Sequence, residues 1–132
     1  MIMSDVEKIF PPAAPPPAGH YSPAIAYGDL VFVSGQLPVQ PDGSHRPDLP
    51  FEAQARQVLD NLFAVLAAAG SAPERVLKVT VYIAAIEHWP AFNSIYADYF
   101  GEARPARAVV PVPELHYGYL IEVEAVAARA SG

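Results

Sequence analysis

Hydrophobic and polar positions alternate between two periods along this chain, and the switches between them mark the elements. Leu30 to Pro38 (LVFVSGQLP) is a β-prone run with apolar residues on both sides of the alternation, which predicts a strand covered on both faces. Gly28-Asp29 is a tight-turn signal ahead of it, and Tyr21 to Tyr27 reads as a first, edge strand because Pro23 lacks a ladder donor. From Phe51 to Ala69 the period changes: Ala55, Val58, Leu59, Leu62, Val65, Leu66 and Ala69 recur at steps of three and four, the stripe of an amphipathic helix. Asp48 suits its N-cap, with Pro50 in the first turn, and Gly70 suits the position after its end. Alternation returns over Val76 to Ile83, where Leu77, Val79, Val81 and Ile83 form one fully apolar face. Trp89 to Phe100 is a second helix closed by Gly101, and Ala106 to Val112 and Tyr119 to Ala127 are the last two strands.

The order β-β-α-β-α-β-β predicts a single α/β domain with a mixed sheet. Strands joined through a helix run parallel and those joined by short links antiparallel, and crossovers of one hand place both helices on one face. The other face then has no cover within the chain. In the last strand that face carries Glu122, Glu124 and Val126, a mixture of carboxylate and aliphatic groups best covered by another subunit. Residues 1–18, with Pro11 to Pro17 almost wholly proline and alanine, read as an extended tail, and 19–132 as the folded domain.

Composition narrows the function. At 132 residues, 52% hydrophobic and 17% charged, the chain has one core and is not disordered. A net charge of −6 argues against nucleic-acid partners, whose phosphates are held chiefly by Lys and Arg. With no cysteine there is neither a disulfide framework nor thiolate chemistry, and the apolar runs fall short of a membrane span. The first residues lack the basic-then-apolar pattern of a secretory signal, so a cytoplasmic protein is expected. His20, His45, His88 and His116 show no metal-ligand spacing and read as loop residues; no metal and no cofactor is expected.

Two charges interrupt apolar strands: Arg107 and, fifteen residues later, Glu122. One reading is a structural ion pair or two side chains on a solvent face; the other is a guanidinium that holds an anionic substrate beside a carboxylate that handles a proton. Ser34-Gly35-Gln36 at a strand end is either a bulge or a place of close approach. Asn93 is a tertiary hydrogen-bond partner or an exposed helix residue, and Tyr21 packs or forms a lid.

Several stretches together resemble the Rid (YjgF-type) family of reactive-intermediate deaminases: Tyr21-Ser22-Pro23-Ala24, Val31 to Pro38, Gln54 to Leu62, Val76 to Tyr82, Phe92 to Tyr96, Pro105-Ala106-Arg107 and Ile121 to Ala125, in order across roughly 19–127. The resemblance implies a chorismate mutase-like fold, a homotrimer with its sites in the clefts between subunits, and hydrolysis of 2-imino or enamine acids to 2-keto acids and ammonia. It implies Arg107 as the substrate's anchor, Glu122 as the group beside the attacking water, and Tyr21, Ser34, Gly35 and Asn93 around the cleft. The alternatives are a trimeric binding protein for small carboxylates and, third, a ribonuclease. The chain departs from the family pattern at Ala108-Val109, at His116-Tyr117 and at His20, changes that bear on the pocket wall and thus on substrate range.

Overall fold

A computed structural model describes residues 5–130. It contains strands β1 (Glu7–Ile9), β2 (Ala24–Tyr27), β3 (Leu30–Gln36), β4 (Val76–Ile83), β5 (Ala106–Pro111) and β6 (Ile121–Ala128), with helices α1 (Phe51–Ala68) and α2 (Trp89–Phe100). The strands form one sheet in the order β1-β2-β3-β6-β4-β5, in which β4 and β5 are parallel and every other pair antiparallel. The α/β mixed sheet is as the pattern predicts, with one strand more. Glu7–Ile9, inside the segment expected to be a tail, pairs with β2 and buries Ile9. These three residues precede the proline run and keep their backbone donors, so they take the edge that the sequence assigns to the strand after Tyr21.

Both helices lie on one face. The predicted α1 stripe is buried throughout, from Ala55 to Ala69, and packs over Val31, Val33, Val79, Val81, Ile121, Val123 and Ala125. Removing that much aliphatic surface from water is the main driving force of the fold, at roughly 25 cal/mol per Å². Helix α1 ends in a Schellman motif: Ser71 N–H donates to Leu66 C=O at 2.8 Å and Gly70 N–H to Ala67 C=O at 3.1 Å, with Gly70 at φ +77°. Its start differs from expectation. Pro50 occupies the N-cap, and Asp48 instead accepts two hydrogen bonds from the Arg46 guanidinium, at 3.0 and 2.9 Å.

Strand β4 also departs from simple alternation. Val76 pairs with Ala127 and Lys78 with Val126, so one extra residue stands on β4 at Leu77. This bulge turns Val76 inward and leaves Leu77 exposed, reversing the first step of the predicted face.

The opposite face of the sheet is open in the single chain. Tyr27, Leu30, Phe32 and Val110 are exposed there, alongside Thr80, Tyr82, Glu122, Glu124 and Val126. Strand β3 is therefore covered by the helices on one side only, and its second apolar side has no cover among the described residues.

Candidate active site

The two charged residues that interrupt the strands are held on opposite faces. Arg107 pairs with Val79 across the parallel β4–β5 ladder, and Val79 faces the helices. Arg107 therefore reaches over α2 at the sheet's edge. Glu122 pairs with Tyr82 and alternates with the buried Ile121 and Val123, so it points to the open face. Two strand spacings and three residues separate their Cα atoms, on the order of 14 Å. They form no ion pair; among the described residues the salt bridges are Arg46–Asp48 and Glu7–Arg129.

The first half-site is built on α2. Trp89, Asn93 and Tyr96 stand at i, i+4 and i+7, one stripe of the helix, and Arg107 lies across it. Its guanidinium carbon is 4.7 Å from the centroid of each flanking ring, Trp89 and Tyr96, and its Nη1 donates to Asn93 Oδ1 at 3.1 Å. The two rings and the amide fix the plane of the guanidinium, while its other donors make no hydrogen bond among the described residues. The Tyr96 ring is buried, and its hydroxyl is a buried group with no hydrogen-bond partner among those residues. Burial raises its pKa, against the pull of the Arg107 charge beside it.

The second half-site lies where β3 and β6 meet. Between Val33↔Ala125 and Gln36↔Val123 the register slips by one residue, a bulge at Ser34-Gly35. The Ser34 hydroxyl donates to Ser22 C=O at 2.6 Å and its N–H to Pro23 C=O at 2.9 Å, which fastens the Tyr21–Pro23 segment along the bulge. Gly35 answers both halves of the question posed by the sequence. It sits in the bulge, and a Cβ there would collide with Glu122 Oε2 and stand 3.1 Å from Glu122 Cδ, so a larger residue would displace that carboxylate from its present position. Burial, and then the neighbouring Glu124, push the Glu122 carboxyl above its ordinary value, while His116 pulls it down. Tyr82, paired directly with Glu122, has its phenol raised by burial and by both carboxylates. Tyr21 is half exposed, and Gly19 lets its ring lie close.

The structure thus brings Arg107 together with Asn93, and Glu122 with Gly35 and Ser34, but joins the two groups nowhere in one chain. Two hollows among the described residues, one beside Gly70 and Arg129 and one beside Phe100 to Pro105, are lined by none of these residues. Sequence reasoning missed Trp89 and Tyr96, although their spacing with Asn93 was a usable signal. It also missed Gln54, a buried amide that donates to Pro47 C=O and Leu49 C=O at 3.0 Å each and accepts from Leu120 N–H at 2.9 Å. That amide ties the 40–50 loop to the residue before β6 and so sets where Glu122 begins.

A sequence model of the endoribonuclease L-PSP family matches residues 11–129. The chain belongs to this family, also known as YjgF or RidA. The RutC family protein PH0854 of Pyrococcus horikoshii is 44% identical over 92% of this chain and 96% of its own. Among solved structures, Escherichia coli TdcF with bound serine superposes with a TM-score of 0.87 at 33% identity, covering 94% of this chain and 99% of that one. RidA from the Antarctic bacterium Psychrobacter sp. gives 0.87 at 33% identity, over 92% and 98%. The Rid resemblance read from the sequence is borne out, and the L-PSP fold accounts for the single α/β domain. No helix among the described residues is long and apolar enough to cross a membrane.

Proposed function

We propose that this chain is a metal- and cofactor-independent hydrolase of 2-imino and enamine acids, working as a cytoplasmic homotrimer with each site shared between neighbouring subunits. The observation that carries this reading is the Arg107 guanidinium, braced by two rings and an amide, with most of its donors making no hydrogen bond among the described residues. Such a group grips a substrate carboxylate through two parallel hydrogen bonds, which orients it as well as neutralising it. Glu122, which the single chain leaves on the open face, is brought to that substrate by a second copy.

The reaction needs little else. The C2 carbon of an imine is already electrophilic, and more so when its nitrogen is protonated. Glu122 orients a water molecule and takes its proton as the oxygen bonds to C2. Glu122 passes that proton to the nitrogen and takes the second one, from the new hydroxyl at C2, as the C2–N bond breaks; ammonia leaves, C=O forms, and a 2-keto acid remains. The raised carboxyl of Glu122 makes it a stronger base once ionised, and general acid–base help of this kind contributes ~10²–10⁴-fold.

The test is ammonia release from 2-iminobutyrate and 2-iminopropionate made in situ. Arg107→Ala should lower kcat/KM by at least about a hundredfold, the worth of two charge-assisted hydrogen bonds. A wild-type protein that hastens the decay of no imino acid would end this reading. A relative solved with bound serine favours a second one, a non-catalytic binding protein for small carboxylates. Binding by calorimetry without turnover, unaffected by Glu122→Gln, would decide for it. Ribonuclease activity, named in the family's description, is disfavoured by the net charge of −6.

A further inference from the structure

The two rings that brace Arg107 are not equivalent. Trp89 and Tyr96 stand seven residues apart on α2, about 10.5 Å of helical rise. The guanidinium carbon lies 4.7 Å from each ring centroid, so it sits between them with one ring on each side, and Asn93 holds Nη1 from the turn between. An anion therefore meets the guanidinium at its edge, in its plane, and not over its faces. Tyr96 is buried, its ring centroid 4.5 Å from that of Phe100. Trp89, the chain's one tryptophan, is only partly buried. It leans on the core from behind, with the buried Phe92 ring 6.2 Å away and tilted by 35°. The preceding residue, His88, stacks on Phe51 at 4.4 Å with 5° between the planes, which pins the start of α2 to the start of α1 and fixes where the indole stands.

Arg107 and Asn93 are exposed and Trp89 partly so; the guanidinium edge and the uncovered part of the indole open to the same solvent. A carboxylate paired edge-on through two hydrogen bonds of about 2.8 Å puts its C2 carbon on the order of 5 Å from the guanidinium carbon. That is about as far as the indole centroid, which brings a side chain on C2 within van der Waals reach of the indole rim. On the other side Tyr96 is closed off by the core, so a bound acid has one ring to lean on. We propose, resting on the deaminase reading above, that Trp89 is the specificity-determining residue of the Arg107 anchor: its uncovered indole surface receives the substrate's side chain and selects 2-imino acids with longer or branched aliphatic side chains over those with a methyl group. The preference comes from apolar area removed from water on both partners. Bracing and selection are separable, because any flat ring braces a guanidinium, while only a large, partly uncovered one offers the side chain a surface.

The experiment compares kcat/KM for the imino acids that an amino-acid oxidase makes from leucine and from alanine. Wild type should favour the leucine-derived substrate by about tenfold or more, the scale of burying a few further carbons. Trp89→Phe, which keeps a flat ring against the guanidinium, should cut that ratio severalfold, and Trp89→Ala should bring it near one. Tyr96→Leu removes the other brace and should weaken both substrates alike, leaving the ratio as in wild type. A tryptophan that only braces Arg107 predicts that both Trp89 variants lower the two kcat/KM values in step. That outcome overturns the proposal, as does a wild type that favours the alanine-derived substrate or neither. Because Trp89 is the only tryptophan, its fluorescence gives a readout independent of turnover. The keto acid 4-methyl-2-oxopentanoate should shift the emission to the blue as water leaves the ring, and pyruvate should shift it less; equal shifts at saturation overturn the proposal. If wild type turns over neither imino acid, the deaminase reading has failed, and Trp89 is judged by calorimetry with the same two keto acids. Tighter binding of 4-methyl-2-oxopentanoate, brought level with pyruvate by Trp89→Ala, then supports the proposal, and equal binding or none overturns it.

Discussion

The two half-sites differ in how their key residues are made ready. Arg107 is exposed, on an edge strand, and prepared by geometry: Trp89, Tyr96 and Asn93 hold its plane. Glu122 is partly buried, on a central strand, and prepared by its electrostatic setting: Gly35 gives it room while burial and Glu124 disfavour its charge. A guanidinium stays charged at any ordinary pH and needs only orientation, whereas a carboxylate that exchanges protons needs its affinity adjusted. They face opposite sides of one sheet, and among the described residues no contact joins them within one chain.

The sharpest way to break this comparison is to split it between chains. Arg107→Ala and Glu122→Gln should each be inactive alone. Mixed, dissociated and reassociated in equal amounts, they should recover activity, because some clefts then pair the intact arginine of one variant with the intact glutamate of the other. Random assembly in a closed ring of shared sites gives about a quarter of wild-type activity. Measured recovery of nothing would place both residues in a site served by a single chain.

How much of this was legible in the sequence depends on whether the signal was local. The α1 stripe, the Gly70 stop and the bounds of α2 follow from periodicity and backbone chemistry within a few residues, and they are found in place. The opposite facing of Arg107 and Glu122 was not legible, because it depends on which residue of β4 each strand pairs with. Register also undid the reading of Leu77, where one inserted residue moves a side chain to the other face. Asp48 shows a third kind of miss: it has the chemistry of a cap, but Arg46 two residues before it claims the carboxylate. A stack of the His45 and Tyr117 rings joins two loops far apart in sequence, and nothing local announces it.

A smaller effect distinguishes the half-sites by pH. Native Glu122 keeps its proton to higher pH than it does in the unfolded chain, so between the ordinary and the raised value the native state binds more protons. Stability therefore falls as pH rises through that window; the contribution is full below it and lost above it. Glu122→Gln should flatten this decline, matching wild type in acid and melting slightly higher near neutrality. The gain is small because water still reaches the carboxylate. Arg107→Ala should leave the shape of the pH–stability curve unaltered, since the guanidinium does not titrate in the range. Melting curves of the three proteins across acid and neutral pH decide the matter; a curve for Glu122→Gln parallel to wild type would remove Glu122 as the tuned group.

The smallest change tests whether the first half-site is shaped by its rings alone. The Tyr96 hydroxyl is buried without a partner among the described residues, so Tyr96→Phe deletes a group that was desolvated for no return. Stability should hold or rise, by no more than ~1 kcal/mol, read as the denaturant midpoint. The ring that supports Arg107 remains, and KM should not move. Tyr96→Leu keeps an apolar side chain but removes the aromatic face under the guanidinium, a contact worth ~0.5–2 kcal/mol, and KM should rise severalfold. If Tyr96→Phe instead costs stability or raises KM, the hydroxyl has a partner in the assembled protein or in the substrate, and Arg107 is prepared by more than the faces of two rings.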